Sequence, residues 1–174
     1  ATTEPVIRKA LAIGATDAVR INAAPRDGFF VATQIANYVK SNPFDLILCG
    51  RESSDHNGSS VPVMVAEMLG LPCILFAKSL TVDGTTVTCE SEIEGGKEIH
   101  TASLPVIAGA GEGMAEWKIP NMRGIMSART KPLQVVEPVA ADEKVRVVEF
   151  DQPAPRSAVK MISPDDAAKI FDII

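Results

Sequence analysis

The run FDLILCG, at residues 44–50, is apolar almost throughout, and it restricts the fold more than any other stretch. A strand that is apolar at successive positions is typical of parallel sheets, which are covered on both faces. Ten polar residues, RESSDHNGSS, follow this run, and a helical pattern with Pro62 in its first turn begins at Val61. Residues 44–70 therefore predict a buried strand, a polar loop and a helix.

The first half of the chain repeats this alternation of helix and strand. Apolar spacing predicts helices over 4–13, 27–40 and 61–71, and strands over 18–23, 44–50 and 73–78. Right-handed crossovers between such strands give a parallel α/β sheet. The pairs Asp83-Gly84 and Gly95-Gly96 predict an added antiparallel hairpin between the third strand and a further strand at 105–111.

The second half is less regular. We expect a helical turn near 124–128, a strand at 133–138, β structure in KVRVVEF at 144–150, and a short helix capped by Ser163. Apolar content falls after Pro138. We therefore predict an α/β domain over residues 1–138 and an arm over residues 139–174 that lies on its own domain or on a partner.

Charge and composition exclude several classes of function. A net charge of −5 does not suit nucleic acid, and no apolar run approaches the roughly 18 residues of a membrane span, so no membrane insertion is expected. Three cysteines without metal-ligand spacing indicate reduced structural thiols, and two distant histidines disfavour a zinc site. No serine–histidine–acid or cysteine–histidine set emerges, so we predict no catalytic centre.

The polar loop lies where open parallel sheets bind ligands, beyond the carboxyl end of a strand. Gly58, Ser59 and Ser60 come directly before a helix, whose free N–H groups and dipole favour a phosphate, and Gly58 permits an unusual backbone. Asp55 would repel a phosphate and suits a ribose hydroxyl. The alternative is that Ser59 or Ser60 only caps the helix while the rest of the loop is solvated. Composition leaves both open.

A methionine- and tryptophan-rich segment at 110–132 is the second candidate. Methionine is adaptable and is enriched at surfaces that bind several partners. The segment is either a recognition loop or a loop that covers the core.

Taken together, these stretches resemble the β subunit of electron transfer flavoprotein. IRKALAIGATDAVRI resembles the family's LRKALAMGAD.A segment, DLILCGRESSDHNG with AEMLGLP resembles its nucleotide loop and helix, and ESEIEGGKE resembles its E.E.EGG.E hairpin. LPVIAGAGEGMAEWKIPNMRGIMSARTKPL is similar to its LPAV.T...N.PRY..L..IM.A..K.. segment, and QPAPRSAVKMI to its C-terminal arm. The family begins with a strand, a helix and a strand that this chain lacks, so the resemblance implies a missing N-terminal portion.

The resemblance implies an adenine-nucleotide α-hydrolase-like, Rossmann-like fold and a heterodimer with an α subunit. The α subunit holds the redox-active FAD, and this subunit holds AMP, or a second FAD in electron-bifurcating relatives. The complex carries electrons from acyl-CoA or other flavin dehydrogenases to a quinone oxidoreductase, in the bacterial cytoplasm or the mitochondrial matrix. This subunit itself is an electron carrier without a catalytic centre.

The resemblance also assigns residues. The nucleotide positions are Gly50, Arg51, Glu52, Ser53, Ser54, Asp55, His56, Asn57, Gly58, Ser59, Ser60 and Val61. Glu92 falls where the family has a glutamate that pairs with an arginine near the α-subunit flavin. The partner-recognition positions are Met114, Trp117, Met122, Ile125 and Met126, with Met122 at the family's anchoring leucine. The family's lysine cluster is thinned here to Arg129 and Lys131. The rival hypothesis, a stand-alone adenine-nucleotide sensor domain, gives the C-terminal arm no purpose.

Overall fold

A computed structural model describes residues 3–54, 56–156, 158–159 and 161–172. The helices are α1 (Glu4–Ile13), α2 (Gly28–Ser41), α3 (Val61–Leu69) and α4 (Met122–Ala128), followed by a 3-10 helix (Pro164–Asp172). The strands are β1 (Ala18–Ile21), β2 (Leu46–Gly50), β3 (Cys73–Asp83), β4 (Thr86–Ile93), β5 (Gly96–Ser103), β6 (Val106–Ala110) and β7 (Leu133–Val136). The α/β class is therefore confirmed.

The helices begin and end where local chemistry requires. Asp27 caps α2, because its side chain accepts a hydrogen bond from the backbone N–H of Phe30. Gly14 follows α1 with φ 140°, and Gly70 follows α3 in the left-handed region with φ 66°, where a side chain would be strained.

The described strands form two sheets rather than one. β1 and β7 make a two-stranded parallel sheet, and the order β2–β6–β3–β4–β5 makes a five-stranded sheet. In the larger sheet β2, β6 and β3 run parallel, while β3, β4 and β5 form an antiparallel meander. The carboxyl ends of β2 and β6 thus meet at one edge, next to the polar loop that follows β2.

β6 lies between β2 and β3 in the larger sheet and contributes to two apolar clusters. Because side chains alternate along a strand, Ile107 packs with α2 and α3, while Val106 and Ala108 face the meander. All three side chains are fully buried. The loop after β2 is therefore attached to a rigid base, since β2 pairs with β6 along its whole length.

Three expectations about the strands were wrong. FDLILCG is only partly covered on its two faces, because Leu48 is 57% exposed. Leu46 packs against one core cluster, and Ile47 and Cys49 pack against the other. β3 does not end at residue 78 but continues to Asp83, since the first hairpin extends it. KVRVVEF is not a strand, because none of its residues pairs with a described strand.

The C-terminal region begins on the domain and then becomes exposed. Residues 139–145 contact α2, and residues 146–150 are exposed throughout. The expected helix after Ser163 is present, as a 3-10 helix with a kink at Asp166. The division into a domain and an arm at residue 138 stays a prediction. Among the described helices, none has the length and apolar content needed to cross a membrane.

Candidate functional site

The loop after β2 is organised around the carboxylate of Glu52. Ser59 donates from Oγ to Glu52 Oε2 at 2.6 Å, and Arg51 Nε lies 3.1 Å from Oε1. The Asn57 amide, oriented with its nitrogen toward Glu52, lies 3.1 and 3.2 Å from the two carboxylate oxygens. Three donors therefore converge on one negative group, so the loop has the donors that an anion needs.

Backbone strain is concentrated around this loop. In the described chain, the non-glycine residues with positive φ are Asn57 (48°), Ser59 (45°) and Phe76 (58°). Asn57 and Ser59 contact Glu52, and the guanidinium of Arg51 lies over the Phe76 ring at 5.2 Å from its centroid. Such conformations cost about 1–3 kcal/mol each and persist where the surroundings enforce them, often at functional sites.

The left-handed backbone of the loop is therefore not at Gly58, where the sequence indicated an unusual conformation. Gly58 lies outside the positive-φ region, and the left-handed residues are its neighbours Asn57 and Ser59. Phe76 was missed altogether. It lies where the register between β3 and β6 shifts, and no local sequence signal marks a bulge there.

The amino end of α3 adjoins the loop and carries no side-chain cap. Ser60 occupies the N-cap position, but its hydroxyl makes no capping hydrogen bond, and the Ser59 hydroxyl is directed to Glu52. Neither serine therefore caps α3 with its side chain, although the rest of the loop is largely exposed, as the alternative of a solvated loop expected. Pro62 has no N–H, and the first N–H that bonds back is that of Met64, to the Ser60 carbonyl at 3.0 Å. The helix end keeps its partial positive charge for another group.

The structure brings most of the predicted loop residues together on the surface. Exposed are Gly50, Arg51, Glu52, Ser53, Ser54, His56, Asn57 and Gly58, while Ser59, Ser60 and Val61 are half-buried. Asp55 lies outside the described residues. The N-terminal ends of two helices also adjoin here, because a Cβ on Gly28 of α2 would lie 3.2 Å from Ser60 Oγ.

The segment at 110–132 presents apolar side chains to solvent. Trp117 is 83% exposed, Ile119 74% and Met122 73%, while Met126 and Ile125 are less exposed. Met114 differs, because it packs against the core cluster beneath the meander. Ile119 was missed; its signal was the Ile-Pro-Asn sequence that leads into the Asn121 cap of α4.

α4 is fixed to α1 by two reciprocal caps. Arg8 Nη1 donates to the carbonyls of Ala128 and Lys131, both at 2.8 Å, at the carboxyl end of α4. Lys131 Nζ donates to the carbonyls of Leu11 and Ala15, at 2.8 and 2.5 Å, at the carboxyl end of α1. Each cation thus satisfies carbonyl groups of the other helix.

Burial affects the cysteines in a single direction. Desolvation raises the pKa of the Cys49, Cys73 and Cys89 thiols, which favours the neutral form. All three are free thiols. A raised pKa lowers the thiolate fraction, which agrees with a structural role.

The model of the electron transfer flavoprotein domain matches residues 1–141. This match covers most of the chain, including the loop, the meander and the segment that leads into α4. The chain belongs to the electron transfer flavoprotein family.

Relatives within this family are named electron transfer flavoprotein subunit beta. The protein from Syntrophomonas wolfei is 35% identical over 153 residues, which cover 87% of this chain and 61% of that protein. The Bacillus subtilis protein is 30% identical over 98% of this chain and 71% of its own length. The human protein is 29% identical over 99% of this chain and 72% of its own length. The chain thus spans about three fifths of the first of these relatives and about seven tenths of the other two.

The structure shows the contacts of Glu92 and Lys131, two residues that the resemblance to the family singled out. Glu92 is an exposed residue of β4 that forms an ion pair with Lys78 of β3, and this contact raises the pKa of Lys78. Lys131, one of the two residues that remain of the family's lysine cluster, donates to carbonyls at the carboxyl end of α1.

Proposed function

We propose that this electron transfer flavoprotein chain is an electron-transfer subunit that binds AMP, or FAD in a bifurcating relative, in the loop at residues 50–61. The supporting observation is that Asn57, Ser59 and Phe76, which have positive φ, surround Glu52 and Arg51 beside the uncapped end of α3. Strain of this kind is maintained only where other contacts over-determine it, and function is a common reason.

The donors of the loop suit a phosphate group. The end of α3 supplies a partial positive charge, and the Ser60 hydroxyl has no capping role. Ser59 and Asn57 already bind a carboxylate, so they are oriented toward an anion. A phosphate at the helix end would displace the Glu52 carboxylate from the Ser59 and Asn57 donors, and Arg51 would balance its charge.

The redox chemistry belongs to the flavin of a partner. The names of the relatives describe a β subunit, and we propose that this chain pairs with an FAD-bearing α subunit. It would then carry electrons from acyl-CoA or other flavin dehydrogenases toward a quinone oxidoreductase. In this assembly Glu92 would exchange its ion pair with Lys78 for an arginine of the α subunit, since both residues are exposed at the surface.

Two exposed apolar surfaces support protein partners. The recognition surface, Trp117, Ile119 and Met122, suits a flavin dehydrogenase, because interfaces concentrate their energy in a few large side chains. The C-terminal arm exposes Val148 and Phe150, at 88% and 87%, and suits the α subunit. An isolated nucleotide sensor would leave both surfaces uncovered, which favours the electron-transfer role.

The loop assignment can be tested by measuring nucleotide in the full-length α/β complex. Gly58→Val should reduce the bound nucleotide well below a stoichiometric amount, because a branched side chain would enter the mouth of the loop. The fold should persist, since a Cβ at Gly58 meets only Ser60 Oγ at 3.7 Å and the His56 carbonyl at 4.0 Å. Gly96→Val is the matched control, because Gly96 has open space and lies in a hairpin away from the loop.

Nucleotide released from each purified complex would be identified by mass and absorbance, which separates AMP from FAD. If the Gly58→Val complex contains as much nucleotide as the wild type and the Gly96→Val control, the loop does not bind the nucleotide.

A further inference from the structure

The side-chain amide of Gln34 hydrogen-bonds both backbone groups of Val139, as the backbone of a neighbouring strand would. Gln34 of α2 is 5% exposed. Its Oε1 accepts from the Val139 N–H at 2.8 Å, and its Nε2 donates to the Val139 carbonyl at 2.9 Å. Because both backbone groups are satisfied by a buried side chain on a helix, the chain is fixed in position and direction at this residue.

A second fixed point follows at Asp27, whose two carboxylate oxygens have separate partners. Oδ1 accepts from the Phe30 N–H at 2.7 Å and so caps α2. Oδ2 accepts from the N–H groups of Lys144 and Val145, at 2.6 and 2.8 Å. Hydrogen bonds from backbone N–H to a carboxylate are charge-assisted and short, which agrees with these distances.

Between these two points, residues 139–145 form a strap across the amino-terminal half of α2. Arg26 Nε lies 3.4 Å from Glu143 Oε1, and the Lys144 ammonium lies 5.2 Å from the centroid of the Phe29 ring. A cleft of about 680 Å³ lies between the start of the strap and the residues that precede α2. The strap therefore rests on the two fixed points rather than on a continuous apolar contact.

The chain changes character directly after the strap. The side chains at 145, 147, 148 and 150 are apolar and exposed, and the backbone of 146–150 has no hydrogen bond to any residue that the structure describes. The hydrogen-bonded strap thus leads into an exposed segment, residues 146–150, whose apolar side chains are not covered by the described chain.

We propose that Asp27 and Gln34 are positioning residues that order the strap and set the direction in which the arm leaves the domain toward the α subunit. This inference rests on the proposed function, because it names the means by which the arm reaches its partner. Ordering a segment before binding reduces the conformational entropy that association has to overcome. Release of the strap lowers the fraction of molecules whose arm points toward the partner, and the apparent Kd rises by the inverse of that fraction.

The two oxygens of Asp27 allow the helix cap and the strap to be separated. Asp27→Ser keeps one oxygen, and serine caps helices as well as aspartate does. It removes the acceptor for Lys144 and Val145. Glu143→Gln is the matched control, because it also removes one negative charge beside Arg26 but leaves the Asp27 contacts in place.

Hydrogen exchange on the full-length chain would measure the strap, and surface-immobilised α subunit would measure association. In Asp27→Ser we expect the Lys144 and Val145 amides to lose protection while those of α2 keep it. If the released arm points toward the partner about one tenth of the time, the Kd rises about tenfold, mainly through slower association. Glu143→Gln should match the wild type in both measurements.

Gln34→Met tests the other fixed point, because methionine has a similar length but cannot bond the Val139 backbone. It should expose the Val139 amide to exchange and raise the Kd in the same direction. Faster exchange of the strap with an unchanged association rate would overturn the proposal, as would unchanged exchange in both variants. A wild-type chain that does not bind the α subunit would instead contradict the proposed function. The exchange data would still show whether Asp27 and Gln34 order the strap, because that measurement does not require the α subunit.

Discussion

Gly124→Ala tests how closely α4 approaches α1. Gly124 is the third residue of α4, and alanine in a helix interior is ordinarily about 0.5–1 kcal/mol more stable than glycine. Here a Cβ would overlap the backbone carbonyl oxygen of Ala12 in α1 and lie 3.3 Å from its carbonyl carbon. Neither atom can move unless α1 shifts, so the overlap should cost about 1–3 kcal/mol.

The two effects have opposite signs, and the overlap is the larger. We expect a net destabilisation of about 1–2 kcal/mol. For a chain of this length that corresponds to a fall in Tm of about 3–6 °C. Differential scanning calorimetry of the full-length chain would measure it. Gly96→Ala is the control, because nothing lies within 4 Å of its Cβ position. A higher Tm in Gly124→Ala would refute the reasoning. It would mean that the gain in helix propensity exceeds the cost of the contact with the Ala12 carbonyl, so that α1 can shift easily.

Three further predictions follow from contacts described above. Met122→Ala should leave the Tm unchanged, because the side chain is 73% exposed, but should weaken dehydrogenase docking by about 2 kcal/mol in stopped-flow electron transfer; a large Tm loss would contradict it. Lys131→Met should lower the free energy of unfolding in urea by about 1 kcal/mol, because two carbonyls at the end of α1 lose a cationic donor. An unchanged free energy of unfolding would show that Lys131 does not stabilise α1. The N–H groups of Phe30 and Lys144 lower the pKa of Asp27, so its contribution to stability is complete above the ordinary value of 3.8 and is lost as the pH falls through the folded value. Amide shifts of Lys144 that do not change in acid would contradict that last prediction.

Local signals predicted the elements whose formation depends on neighbours in sequence. The helix start at Val61-Pro62, the turn at Asp83-Gly84 and the helix start after Ser163 are each indicated by a few adjacent residues, and the structure has an element boundary at every one. The candidate loop was located for the same reason, because polar residues between β2 and α3 have a fixed place in an α/β sheet.

Contacts between distant segments were not predictable in this way. KVRVVEF alternates like a strand, but a strand also needs a neighbour, and no described strand lies beside it. The two-sheet arrangement depends on β1 pairing with β7, whose residues are more than a hundred positions away. A cap at Ser59 was one of the two alternatives that composition left open, yet its hydroxyl binds Glu52, next to the left-handed backbone of Asn57 and Ser59.

The exchange of caps between α1 and α4 bears on how this part of the protein unfolds. Arg8 on α1 satisfies carbonyls at the end of α4, and Lys131 after α4 satisfies carbonyls at the end of α1. Neither helix can fray at its carboxyl end without removing a partner from the other. The two helices are therefore expected to open together, as one cooperative unit with a common free energy of hydrogen exchange. A disturbance at the start of the described chain would then reach the recognition surface without any change in the sheet.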